Sequence, residues 1–226
     1  KHEFLERGRE QWIRFKSLLS HYGLESVISE DRIALDVGCG VGRMTFAMAQ
    51  DFSKVVGIDV SEVMIGKAQR YRDDLDIKNA EFFANNGTDL TLISDNSIDF
   101  VFSYIALQHC PSSKQVLMYI KEFSRILKPE GVCLFQVRVA PTLKRAIRFA
   151  LSKKMASVKN LLRKDYQKER AFMGNWIYYP KIHQLVSQSF SSSYLLQTPI
   201  ELYNERFWDL KDEYERWKRS FWICVK

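Results

Sequence analysis

Four short stretches carry residues whose types and spacing could do chemistry. In the first, Asp36 precedes three glycines at alternate positions, Gly38, Gly40 and Gly42, just after the apolar run Ile33–Val37. Glycines let a chain turn sharply and let a ligand approach where a Cβ would collide. In the second, Asp59 closes another apolar run, 21 residues after Gly38, where a carboxylate can accept both hydroxyls of a ribose. The third, Asn85-Asn86-Gly87-Thr88-Asp89-Leu90, and the fourth, Ser103-Tyr104-Ile105-Ala106-Leu107-Gln108-His109, also follow apolar runs. His109 is the general-base candidate these stretches place, since an unperturbed imidazole titrates near ~6.5. The other reading packs His109 beside a ligand, or bonds it to backbone at the head of the next helix.

The glycine spacing separates two ligand classes. A dinucleotide fingerprint, G-x-G-x-x-G, needs glycine at position 43, and Arg43 stands there. A ligand without phosphates can instead lie over the loop, with an amino-acid end near the first strand. A nicotinamide-dependent oxidoreductase is therefore the disfavoured alternative, and no Ser-Tyr-Lys set for hydride chemistry supports it.

Positioning these stretches requires strands that end where the polar residues begin. Apolar runs predict strands at Ile33–Val37, Lys54–Ile58, Glu81–Ala84, Ile98–Ser103 and Val132–Val139, with a Lys128–Gly131 turn before the last. Helical spacing fills the gaps, over about 42–51, 61–72 with Ser61 as N-cap, and 112–127. Residues 2–20 read as an N-terminal helix, broken near Gly8. Pro180–Phe190 reads as a further helix, and Tyr194–Gln197 and Phe221–Val225 as late strands. Strands alternating with helices give an α/β fold with a doubly wound, mostly parallel sheet. All four stretches then lie at carboxyl ends of strands, the edge where open α/β sheets bind ligands.

Composition bounds the rest. The chain has 226 residues, 46% hydrophobic and 27% charged, long enough for a core without disulfides or metals. Its four cysteines are widely spaced, with no CxxC pair and no neighbouring histidine cluster; this argues against zinc and a disulfide framework and suits a reducing cytoplasm. No apolar run approaches the ~20 residues needed to span a bilayer. Cys39 reads as a small residue between glycines, and Cys110 beside His109 as an unproductive neighbour rather than a catalytic pair.

In order, LDVGCGVGRMT, GIDVS, NNGTDL, IDFVFSYIALQH and FSRILKPEGV resemble the class I S-adenosylmethionine-dependent methyltransferases, in their small-molecule (type 11/12-like) group. The resemblance covers about residues 30–140. It implies a seven-stranded Rossmann-like sheet, S-adenosylmethionine as cofactor and no metal. It assigns the methionine part of the cofactor to Asp36, Gly38, Gly40 and Gly42, and the ribose to Asp59. Val60 and Met64 become the apolar wall of the adenine. The family's adenine-binding Asp falls on Asn86, beside Gly87, with Asp89 as the alternative. Ser103, Tyr104 and Gln108 line the cofactor or acceptor pocket. The reaction implied is methyl transfer to oxygen or nitrogen of a small-molecule or sugar-containing acceptor, by in-line displacement.

The chain reads as one domain, 1–226, with an N-terminal helical cap over 1–30 and a basic helical insertion over 141–175. The net charge is +7, yet Lys144–Arg170 alone holds ten basic and two acidic residues, so the rest is close to neutral. Apolar residues recur there every three or four positions, from Leu143 through Leu162, giving an amphipathic basic helix. It suits a lid or homodimer face, a site for an anionic acceptor, or a peripheral membrane contact. Nucleic acid is the least favoured partner, because Ser103-Tyr104-Ile105-Ala106 stands where base-modifying relatives carry an Asn- or Asp-Pro-Pro-aromatic tetrapeptide. The remaining rival is a non-catalytic cofactor-binding or membrane-associated protein.

Overall fold

A computed structural model of the chain describes residues 2–148, 151, 176–197 and 220–226. Five parallel strands form the body of the sheet: β1 (Ile33–Val37), β2 (Lys54–Asp59), β3 (Ala80–Ala84), β4 (Ile98–Ser103) and β5 (Leu127–Ala140). Strand β8 (Ser220–Val225) runs antiparallel to β5, and β7 (Ser192–Gln197) antiparallel to β8, giving the order β3-β2-β1-β4-β5-β8-β7. These are the seven strands of the expected sheet. An eighth, β6 (Trp176–Tyr178), pairs with the last residues of β5 and was not foreseen, its three residues being too few for a periodicity.

Helices cover both faces. On one face α1 (His2–His21) and α2 (Arg43–Met48) bury Trp12, Phe15, Leu18, Leu19, Met44 and Met48 against Ala34, Val55, Phe100 and Phe102. Phe15 is fully buried, so truncating it to Ala would cost about 3–5 kcal/mol. Helix α3 (Glu62–Asp74) packs Ile65 and Ala68 over Ala80 and Phe82. On the opposite face α4 (Ser113–Ile126) and α5 (Tyr179–Ser189) enclose the second core, around Phe123, Phe135, Val186 and Trp222.

Three elements differ from the sequence expectation. Helix α1 is unbroken at Gly8. A Cβ there would lie 2.7 Å from the carbonyl oxygen of Arg43; glycine is present because α1 and α2 touch, and that packing outweighs its roughly 1 kcal/mol helix penalty. Helix α2 stops at Met48, three residues early. Strand β5 begins at Leu127, opposite Ile98; the expected turn is a bulge within it, with Glu130 at φ 63°, and pairing resumes at Val132 opposite Phe100.

Beyond β5 the chain turns helical over 143–148, as the apolar spacing predicts. The rest of the basic insertion, apart from residue 151, and all of the segment 201–219 lie outside the described residues.

Candidate functional site

The strand order reverses between β1 and β4, so the crevice above their carboxyl ends is where an open α/β sheet receives a ligand. Gly38, Gly40 and Gly42 carry the chain away from β1 with φ of 79°, 56° and 87°. The turn is pinned to β2, since the amides of Gly38 and Cys39 both donate to the carbonyl of Ile58, at 2.8 and 3.0 Å. It also runs close against the β4 loop. A Cβ on Gly38 would stand 2.1 Å from the Cβ of Ala106.

Asp59 faces that loop. One carboxylate oxygen accepts the amide of Gly40 and the other that of Ser61, each at 2.9 Å. Ser61 itself caps α3 by accepting from the Met64 amide, so Asp59 is not needed as a helix cap. An ionised carboxylate has about four lone-pair positions; two are used here, which leaves two for ligand hydroxyls.

A cavity of about 290 Å³ opens beside Asp59. Val60, Ile105, Ala106 and Leu107 supply apolar wall, Gly38 and Gly87 supply open backbone, and Asn85, Gln115, Tyr119, His109 and Cys110 supply polar groups. Of the residues singled out from sequence, Gly38, Asp59, Val60, Gly87 and His109 line this cavity. Gly40 meets it through its bond to Asp59, and Met64 lies in the first turn of α3, four residues after Val60. Asp36, Gly42, Ser103, Tyr104 and Gln108 do not line it.

Asp36 is buried beneath the loop, its carboxylate accepting the Thr45 hydroxyl at 2.7 Å. Burial pushes its pKa up to about 6. Ser103 donates to the Val37 carbonyl at 2.9 Å, tying the ends of β4 and β1. Ile105 holds φ 61°, a strained conformation for a β-branched residue, with its amide donating to the buried Gln136 carboxamide at 3.2 Å. His109 is exposed on the rim. Arg138 donates to Gln108 Oε1 at 3.2 Å, which leaves the Gln108 amide nitrogen facing His109 Nε2 at 3.3 Å.

The segment after β3 is arranged differently from the sequence expectation. Asn86 does not line the cavity: its Oδ1 accepts the amides of Thr88 and Asp89, and its Nδ2 donates to Asp89. The Asp89 carboxylate also holds Thr91 and Thr88, and these bonds, Thr91 foremost, keep its pKa well below the usual range. Both residues are occupied in folding their own loop. Asn85 takes the cavity position. Its Nδ2 donates to Tyr119 Oη and to the Asp89 carbonyl, so Oδ1 is the acceptor it can offer a ligand. Gln115 donates to the Gly87 carbonyl, and burial raises the Tyr119 phenol. Gln115 and Tyr119 were missed from sequence, although their four-residue spacing places them on one face of α4.

Among the described residues no group of three His, Cys, Asp or Glu is placed to hold a metal. What the arrangement can hold is a nucleoside. A carboxylate at the ribose position, apolar wall beside it and exposed glycine backbone fit its parts.

Comparison with known proteins agrees. Residues 34–131 match the family described as "Methyltransferase domain". A demethylmenaquinone methyltransferase of Bacillus cereus is 36% identical over 106 residues, covering 45% of this chain and 43% of that protein. The chain thus spans less than half the length of that relative. Among solved structures, the YcgJ protein of Bacillus subtilis aligns at TM-score 0.57 and 15% identity, over 88% of this chain and 93% of its own. Geranyl diphosphate C-methyltransferase of Streptomyces coelicolor, solved with Mg2+, geranyl diphosphate and S-adenosyl-L-homocysteine, aligns at 0.57 and 14% identity, over 88% and 73%. At these identities the two structures speak for the fold.

Proposed function

The chain carries a class I S-adenosylmethionine-dependent methyltransferase domain, and from that premise we propose that it methylates an oxygen or nitrogen of a small-molecule or sugar-containing acceptor. The observation that supports this most is Asp59, held by the Gly40 and Ser61 amides with lone pairs to spare for ribose hydroxyls. In this reading Asn85 Oδ1 accepts from the adenine amino group and Val60 and Ile105 cover the ring; all three line the cavity.

When bound, the cofactor supplies a methyl group already activated on a sulfonium. The protein's part is to align the acceptor and exclude water. The left-handed Ile105, held by Gln136, shapes the wall of the cavity. Where the acceptor must lose a proton, His109 on the rim takes it.

Calorimetry with S-adenosylhomocysteine and with NAD tests the reading. Binding of the first and not the second is expected; tight NAD binding alone overturns it. His109→Gln should lower turnover of an acceptor found by metabolite screening while leaving cofactor affinity unchanged.

A second observation bears on where the acceptor comes from. Leu143 and Ile147, on the helix after β5, and Leu151 beyond it recur every four residues and are each more than half exposed. Lys144 and Arg148 stand exposed beside them, and among the described residues no helix is long and apolar enough to cross a membrane. An apolar stripe with basic flanks suits the surface of an anionic bilayer, and this supports an acceptor drawn from one. A homodimer closed through the same face would oppose two basic segments. Co-sedimentation should occur with vesicles containing anionic lipid and fall with salt; equal binding to neutral vesicles overturns this part.

A further inference from the structure

A second cavity, of about 400 Å³, shares no residue with the one beside Asp59. It opens between α1, the end of α2 and the connection from α3 to β3. Its apolar lining is Leu5, Phe46, Ala47, Leu75 and Ile77. Leu5, Leu75 and Ile77 pack on the small core around Phe46 and Phe82, yet each keeps part of its surface exposed. A smaller pocket of about 190 Å³ adjoins it, lined by Leu5 and Leu75 again and by Phe4, Val41 and Tyr71. Concave apolar surface with a few polar groups at its mouth is what a small-molecule site requires.

The polar groups select the ligand. Arg9 stands four residues after Leu5, on the same face of α1, and both line the cavity. Its ion pair with Glu6 spans 3.7 Å, longer than a hydrogen bond, and its side chain is 54% exposed. A guanidinium is a planar fork that grips a carboxylate through two parallel bonds. Lys78 adds a second positive charge but is paired with Asp76, and the Asp76 carboxylate opposes a doubly charged head. The Asn79 carboxamide supplies no donor, because its NH2 is spent on the carbonyls of Ala49 and Phe52, at 2.8 and 2.9 Å. One free-standing fork above an apolar trough fits a singly charged head on a hydrocarbon chain.

We infer that this cavity binds a medium-chain fatty acid. Arg9 holds the carboxylate, and the chain lies over Leu5, Phe46 and Leu75. The site is separate from the cofactor cavity and does not rest on the methyl-transfer reading.

The experiment is calorimetry on the whole chain with octanoate, hexanoate and octan-1-ol, each below its micelle concentration, at a pH where the acids are ionised. Arg9→Met keeps the apolar stem and removes the fork. Ala49→Phe puts a ring into the cavity from its α2 side. Melting temperatures check that both variants fold. Octanoate titrations are repeated with saturating S-adenosylhomocysteine.

Octanoate should bind about tenfold more tightly than hexanoate, the effect of burying two more CH2 groups. Arg9→Met should weaken octanoate about tenfold, the loss of a charged hydrogen bond, and leave octan-1-ol unchanged. Ala49→Phe should weaken both, and S-adenosylhomocysteine should not displace octanoate. A parent protein that does not bind octanoate overturns the assignment, as does equal binding of octanoate and octan-1-ol. Parent-like octanoate affinity in Arg9→Met, or displacement by S-adenosylhomocysteine, also overturns it. A parent that ignores octanoate and dimerises, with the dimer lost in Ala49→Phe, would give the cavity to a second copy of the chain and overturn it too.

Discussion

Asp59 accepts the amide of Gly40 at 2.9 Å, so the last residue of β2 holds the turn that leaves β1. The same carboxylate takes the Ser61 amide. Asp59→Ala removes a shared acceptor from two backbone donors together with the ribose contact proposed for it. S-adenosylhomocysteine affinity should fall by at least about a hundredfold, the sum of one charged hydrogen bond and a loosened loop. Calorimetry checks this, and affinity within a few-fold of the parent would place the ribose elsewhere.

Gly38 and Ala106 make the contact between the β1 and β4 loops. A Cβ at position 38 would stand 2.1 Å from that of Ala106, on a backbone with φ 79°. Gly38→Ala thus meets both a clash and a strained conformation, and the second alone costs about 1–2 kcal/mol. The expected result is a large loss in urea denaturation and no detectable cofactor binding. Adding Ala106→Gly should restore part of the stability, because it removes the clash and leaves the strain. No restoration would mean that the loops do not touch as described.

The strand ends were legible in the sequence because a buried parallel strand is apolar throughout and stops where polar residues begin. Ile33–Val37 and Ile98–Ser103 coincide with β1 and β4 for that reason. Gly8 was misread because its reason is a contact with Arg43, 35 residues away, and local spacing carries no sign of it. The same limit explains the segment after β3. A carboxamide next to a glycine suits both ligand binding and an Asx turn, and only the folded loop shows Asn86 bonded to its own backbone while Asn85 faces the cavity. Gln11, which accepts from Arg43 and donates to Tyr104, likewise joins residues distant in sequence and is invisible to periodicity.

Arg125 anchors the loop that carries Asn85 and Gly87. Its guanidinium donates to the carbonyls of Ile93 and Leu90, to Asp95 and to Glu122, whose carboxylate in turn accepts the Leu90 amide. The Glu122 carboxyl lies below its usual range, chiefly because Arg125 bonds it. Arg125→Met keeps the apolar stem and strands these acceptors, so stability should drop by about 1–3 kcal/mol. Cofactor affinity should weaken as well, because the loop loses its brace. Calorimetry and denaturation together check this; a stability loss with parent-like affinity would show that the loop holds its shape without Arg125.

Asp36 gives the chain a pH dependence of defined sign. Its carboxyl is buried, and desolvation raises its pKa from 3.8 to about 6, against the opposing bond from Thr45. Between those two values the folded state binds the proton more tightly than the unfolded state. Stability from this group is therefore fully present below about pH 3.8 and is lost as pH rises through about 6. A shift of this size corresponds to about 3 kcal/mol. Asp36→Asn keeps an acceptor for Thr45 and has no proton to lose. The variant should match the parent near pH 4 and exceed its stability by up to about 3 kcal/mol at pH 7–8. Comparing the two proteins by urea denaturation across this range cancels the titration of every other carboxylate. A difference that stays flat with pH would show that Asp36 ionises in the folded protein as easily as in the unfolded chain.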